Sequence, residues 1–201
     1  MNNRVMAEPH GQLSPAGQRI VQAAEELFYN RGITAVGVDL IAEHSGVSKR
    51  TLYNQFGSKE HLVAAYLGTR DDRWRTLVST TIVACSDPVE AVTAPFAALE
   101  EWSTTNTRGC GFLNALAELP DPKDPARKIA IDQKRWLFSL FERLATAAGA
   151  TAPSELATQL LLLHEGALAT QPLRQDTLRA SIDLAHTLTR VSVSGHQPPP
   201  A

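Results

Sequence analysis

Apolar residues recur every three to four positions along most of this chain, the spacing that turns one face of a helix toward a core. Ile20, Ala23, Ala24, Leu27 and Phe28 make the first such run. Ser14-Pro15 opens it, a capping hydroxyl followed by proline at the first helical position, and Gly32 closes it. Val38, Ile41 and Ala42 predict a short second helix over about 37–44, broken by Gly46. Ser48 caps a third helix carrying Leu52, Tyr53 and Phe56. Gly57-Ser58 stops that helix and starts a fourth, which runs to about residue 84 before Asp87-Pro88 restarts the chain. The helical period then continues, punctuated at 108–109, 120–125, 149–153 and Pro172. Over 126–148 the apolar stripe reads Ile129, Gln133, Trp136, Leu140, Leu144 and Ala148. No segment shows the period of a strand, and no repeat is visible. The expected fold is all-α with about nine helices. It has a three-helix N-terminal domain at 14–66 and a helical bundle at 67–193, between a loose arm at 1–13 and a disordered tail at 194–201.

Composition narrows this picture. Aromatics are 6% of the chain while Ala and Leu abound, which favours helix over sheet. The formal net charge is −2, so any nucleic-acid binding has to come from locally placed cations. Cys85 and Cys110 stand alone, with no CxxC and no His-rich neighbourhood. That is neither a disulfide framework nor a zinc pattern, and it fits a reducing cytoplasm. Apolar runs such as 160–163 are far too short to span a bilayer, and the N-terminus lacks an apolar signal core. The expected location is cytoplasmic.

The segment 41–56 carries the sharpest pattern: two short helices either side of a tight turn at Gly46. Ala42 lets the helices approach closely, while Val47 and Leu52 lock the second against the first. This is a helix-turn-helix arrangement, whose second helix enters the DNA major groove. The outward residues suit that task. Lys49, Arg50, Thr51, Asn54 and Gln55 donate to phosphates and base edges, with Arg50 fitted to guanine and Asn54 or Gln55 to adenine. Tyr53 stacks on sugar or reaches a phosphate, and Lys59 places a cation beside the free N–H groups opening the next helix.

The continuation from Val47 through Ser48, Lys49, Arg50, Thr51, Leu52, Tyr53, Asn54, Gln55, Phe56, Gly57, Ser58 and Lys59 to Leu62 resembles the TetR family. That family reads G-V-S-x-x-T-[LI]-Y-x-[HY]-F-x-[SN]-K-[ED]-x-L here. The first helix, ending Leu27-Phe28-Tyr29-Asn30-Arg31-Gly32, is similar as well, so the resemblance covers roughly 15–66. Residues 108–115, Arg-Gly-Cys-Gly-Phe-Leu-Asn-Ala, look like one branch of the family. The resemblance implies DNA contact by Ser48, Lys49, Thr51, Tyr53 and Lys59, dimerisation through the last two helices, and a ligand pocket in the C-terminal bundle. This chain departs from the pattern at two positions. Val36-Gly37 stands where many members place a Ser or Thr that touches phosphate just before the second helix, so Gly37 takes that place among the implied DNA contacts. Gln55 stands where His or Tyr is common. Arg4, Arg19, Arg31, Lys49, Arg50 and Lys59 are balanced by Glu8, Glu25, Glu26, Asp39, Glu43 and Glu60, so residues 1–67 are formally neutral and a shallow salt dependence is expected.

Residues 153–171 are apolar almost all round, which requires burial on several sides. Either a second copy or the chain's own core covers them. For a dimer the expected contacts are Leu156, Leu160, Leu163 and Ala167 with Leu178, Ile182, Ala185 and Leu188, two helices from each subunit. Candidate pocket walls are Phe96, Trp102, Phe112 and Trp136, with Cys110, Asn114, Glu118 and His164 as polar or reactive groups. Each of these residues also reads as ordinary core or surface: His164 as a satisfied buried histidine, Cys110 as a small buried hydrophobe.

An enzyme is disfavoured. His44, His61 and His164 have no partner nucleophile in any recognised elbow, and no HExxH or phosphate-cradling loop occurs. The pairs Asp71-Asp72 and Glu100-Glu101 point different ways around a helix. No catalytic residue, metal or cofactor is expected. The expected partners are operator double-stranded DNA, a second copy of the chain and a small-molecule effector of unstated identity, with no membrane. The function read from this is a ligand-released, dimeric repressor on a palindromic operator. Two readings stay open beside it: an activator of the same fold, and a helical small-molecule-binding or scaffold protein without DNA function.

Overall fold

The computed structural model describes residues 13–173 and 176–194. The expected arm and tail lie outside these residues, except Leu13 and Ser194. Among the described residues the chain is helical throughout, with α1 Pro15–Arg31, α2 Val38–His44, α3 Lys49–Phe56, α4 Lys59–Val83, α5 Pro88–Ser103, α6 Gly111–Glu118, α7 Pro125–Ala147, α8 Pro153–Thr170 and α9 Thr177–Ser194. None of these helices is long and apolar enough to cross a membrane.

Contacts divide the chain into two units. One holds residues up to Thr69 together with Ala115–Ile129; the other holds Arg70–Asn114 and the chain from Ala130 onward. The first unit's N-terminal stretch thus ends inside α4, and 115–129 groups with it. The reason is local: Glu118 Oε2 accepts the Thr34 N–H at 2.7 Å, holding the end of α6 to the turn after α1. A Cβ on Gly32 would come within 3.2 Å of the same carboxylate, at a backbone φ of +90° that L side chains rarely adopt.

In the first unit Ser14 Oγ accepts from Gly17 N at 3.0 Å and caps α1, whose Ile20, Ala24, Leu27 and Phe28 are buried. Ile41 and Ala42 of α2, Leu52 of α3, and Leu62, Val63, Tyr66 and Leu67 of α4 complete this core. In the second unit α9 packs on α8 and α5. Phe96, Leu99, Leu137, Phe141, Leu156 and Leu160 are its fully buried centre.

Two expectations change. On α7 the fully buried positions are Ala126, Ala130, Leu137, Phe141 and Ala145, with Gln133 and Leu140 the members of the expected stripe that are also buried. Alanines mark where neighbouring backbones come close, and a reading weighted toward large side chains passes over them. On α8 and α9, Leu156, Leu160, Ala167 and Ala185 are spent inside the chain's own core, and Leu163, Leu178, Ile182 and Leu188 are half-buried. The large apolar side chains that α8 and α9 leave uncovered are Leu162, 69% exposed, with Leu184 and Val191.

Candidate functional site

The turn between α2 and α3 depends on Gly46 at φ +65°, after which Ser48 is extended and caps α3. Its Oγ accepts the Thr51 N–H at 3.1 Å and lies 2.8 Å from Thr51 Oγ1. Both predicted DNA-facing hydroxyls are thus oriented by each other. Leu52, fully buried, pins α3 to the first unit, and Phe56 one turn on is half-buried. At about 100° per residue the opposite side of α3 presents Arg50 and Asn54, flanked by Tyr53, and all three are exposed.

The remaining predicted contacts are already engaged. Lys49 Nζ pairs with Asp39 of α2 at 2.8 Å, and the hydrogen bond and charge of Asp39 raise its pKa. Both side chains are exposed, so the pair adds little stability and mainly tempers the cation. Gln55 Oε1 accepts from Ser14 Oγ at 2.7 Å. Lys59 opens α4 with its ammonium 5.8 Å from the centre of the Phe28 ring. Gly37 is the N-cap of α2 and, lacking a side chain, gives it no cap hydrogen bond. Arg50 has no ion-pair partner among the described residues, so it is the cation most available to DNA.

The second unit contains a small, partly open cavity. Trp102, Cys110, Phe112 and His164 line it as expected from sequence. Phe96 lies one layer behind, its ring 5.7 Å from that of His164. Asn114, Glu118 and Trp136 do not line it. Asn114 is exposed and donates to Arg108 O at 3.0 Å, Glu118 caps the Thr34 amide of the first unit, and Trp136 lies under the Arg75 guanidinium at 4.5 Å. Sequence reasoning missed Arg70, Trp74, Gln133 and Lys134, which do line it. Gln133 carried a signal, being the polar member of an apolar stripe.

Three helices meet at one charged knot beside the cavity. Lys134 Nζ of α7 lies 2.8 Å from Glu165 Oε1 of α8 and 3.1 Å from Cys110 Sγ at the start of α6. His164 Nδ1 lies 3.3 Å from the same carboxylate oxygen. Burial pushes the Cys110 thiol up despite the adjacent ammonium, so it stays protonated at neutral pH. Burial also lowers the pKa of His164, which stays neutral there. For Glu165, burial alone would raise the pKa, but the His164 hydrogen bond and the Lys134 charge outweigh it and bring it to about 2. Among the described residues no group of three or more His, Cys, Asp or Glu could hold a metal.

The sign of the resulting pH dependence is the same for both groups. Each has a folded pKa below its unfolded one, so its contribution is complete above the unfolded value and lost on acidification. Melting temperature is therefore expected to fall as pH drops below the 6.5 of an ordinary histidine, and again between 4.5 and about 2 as Glu165 titrates. His164→Phe should erase the first stage in differential scanning fluorimetry. If that stage persists in the variant, it belongs to another group.

Comparison with known proteins agrees with this geometry. The sequence model described as "Bacterial regulatory proteins, tetR family" matches residues 20–66. The chain is 30% identical over 160 residues to the HTH-type transcriptional activator FasR of Mycolicibacterium smegmatis, covering 73% of each chain. It is similar to the crystal structure of a TetR-family transcriptional regulator from Streptomyces coelicolor, with TM-score 0.85 and 27% identity over 90% of this chain and 97% of that one. The sav143 TetR-type transcriptional regulator of Streptomyces avermitilis gives TM-score 0.76 and 30% identity over 90% and 99%.

Proposed function

The chain belongs to the TetR family of bacterial regulatory proteins, and from that premise we propose that it is a ligand-released repressor binding a palindromic operator as a dimer. The carrying observation is the face of α3. Leu52 is fully buried behind it while Arg50, Tyr53 and Asn54 stand exposed in front. A recognition helix in this position reads about one half-site, and a palindrome repeats that half-site about 34 Å along the duplex. Two copies are then required. The exposed Leu162 on α8, with Leu184 and Val191 on α9, supplies an apolar face for the second copy.

Repression is the simpler outcome, because a dimer seated on a promoter blocks polymerase by occupancy alone. Activation is the second reading, since FasR is named an activator. The effector enters the cavity of the second unit. It can shift operator affinity only by binding one arrangement of the chain better than another. Helix α4 is the mechanical candidate, being one unbroken helix with residues in both units. The protein acts in the cytoplasm, where its DNA lies.

The test is fluorescence anisotropy with the intergenic DNA beside the protein's own gene, across a salt series. With Lys49 shared by Asp39, Arg50 and Lys59 from each copy leave about four cations for the duplex, so a shallow log–log salt slope of about −4 is expected. Absence of saturable binding to that DNA, with a dimer present, would overturn the operator reading.

A further inference from the structure

We propose that the cavity of the second unit takes a neutral, planar aromatic molecule carrying a hydroxyl group, of the phenol or naphthol class. This rests on the effector role given above and names the chemistry of that effector. Trp74, Trp102 and Phe112 supply aromatic walls, and Leu99 and Leu168 add aliphatic ones. The enclosed space is small and open on one side, so a compound of one or two fused rings enters only as the surrounding side chains move apart.

The polar atoms around these rings fall into two groups. The charges of Lys134 and Glu165 are consumed by each other at 2.8 Å, and the remaining reach of Lys134 goes to Cys110 Sγ. The Arg70 guanidinium lies over the Trp102 ring at 5.0 Å and donates to Asn106 Oδ1. Three neutral atoms on lining residues have no hydrogen-bond partner: Trp74 Nε1, Gln133 Oε1 and His164 Nε2. Their side chains are only 2–4% exposed, so solvent does not satisfy them.

Their chemistry is specific. Trp74 Nε1 is a donor and nothing else, and Gln133 Oε1 is an acceptor. His164 Nδ1 faces the Glu165 carboxylate and so carries the ring proton, which makes Nε2 an acceptor too. A hydroxyl accepts from the Trp74 N–H and gives its one proton to either Gln133 Oε1 or His164 Nε2, so it satisfies two of the three atoms. A carboxylate would set its charge against two lone pairs, and an ammonium would meet Lys134 and Arg70. With both charged classes disfavoured, a neutral hydroxyl is the class proposed.

The test is isothermal titration calorimetry of the full chain with 2-naphthol, 2-methoxynaphthalene and 2-naphthoate. 2-Naphthol is expected to bind about tenfold more tightly than either of the others, since each forfeits a buried hydrogen bond. The double variant Gln133→Leu/His164→Phe should bring naphthol and methoxynaphthalene to within about twofold. Trp74→Phe keeps a ring, so its fold survives, and should weaken naphthol several-fold. Circular dichroism melts establish that each variant is folded. No naphthol binding, tightest binding by naphthoate, or a naphthol preference unchanged in both variants overturns the proposal. Operator affinity measured on the same samples separates the two readings. Naphthol bound with operator affinity unchanged upholds the site and overturns the effector role. Naphthol unbound with operator binding intact overturns the ligand class alone.

Discussion

Arg50→Glu is expected to lower operator affinity about 100-fold while leaving the fold as it is. Losing one well-placed arginine contact costs roughly 1–3 kcal/mol, and reversing its charge adds repulsion from the phosphates. The fold is spared because Arg50 is exposed and α3 is held from the other side by Leu52. Surface changes of that kind usually stay within about 0.5 kcal/mol. Lys49→Met provides the comparison and should cost less, because Asp39 already shares that ammonium at 2.8 Å. Anisotropy titrations at fixed salt read both variants. Unchanged binding by Arg50→Glu means that α3 does not face the groove.

The second large effect concerns the assembly. Leu162→Glu and Leu184→Glu are each expected to raise the dimer dissociation constant by about 100-fold or more, since a carboxylate buried at an apolar interface costs several kcal/mol. Operator affinity should fall in parallel, because a monomer grips one half-site. Leu156→Ala is the control. Leu156 is fully buried inside the chain, so its truncation should destabilise folding by about 2–5 kcal/mol without acting on association directly. Analytical ultracentrifugation distinguishes the cases. If Leu162→Glu and Leu184→Glu both sediment as the wild-type dimer, the copies meet elsewhere.

These two sites differ in how far the sequence exposes them. The α2–α3 turn is built from neighbours: Gly46 makes it, Ser48 caps the helix three residues from Thr51, and Leu52 anchors it. Local chemistry of that kind is legible in a linear string. The cavity is not, because Lys134 meets Cys110 across 24 residues and Glu165 across 31. Those partnerships exist only once α6, α7 and α8 have packed. Asn114 and Glu118, four apart on α6, share a helix face as expected, yet one meets solvent and the other the Thr34 amide. A shared face does not guarantee a shared destination. The apolar circumference of α8 likewise predicts burial on several sides without saying which leucine points outward.

If α3 reads DNA as proposed, Ser14 limits what Gln55 can recognise. Two-point reading of adenine by a glutamine needs both amide atoms, the oxygen for the amino group and the nitrogen for N7. Here a serine 41 positions upstream occupies the oxygen at 2.7 Å, while the Gly17 amide donates to that same serine hydroxyl and leaves its proton for Gln55. That bond holds the Gln55 oxygen toward α1, and on the proposed DNA-bound reading the amide nitrogen is the atom better placed to donate to guanine O6 or N7, thymine O4 or a phosphate. On that reading, the way Gln55 meets a base is biased from the opening of α1, in a part of the chain that need never touch one.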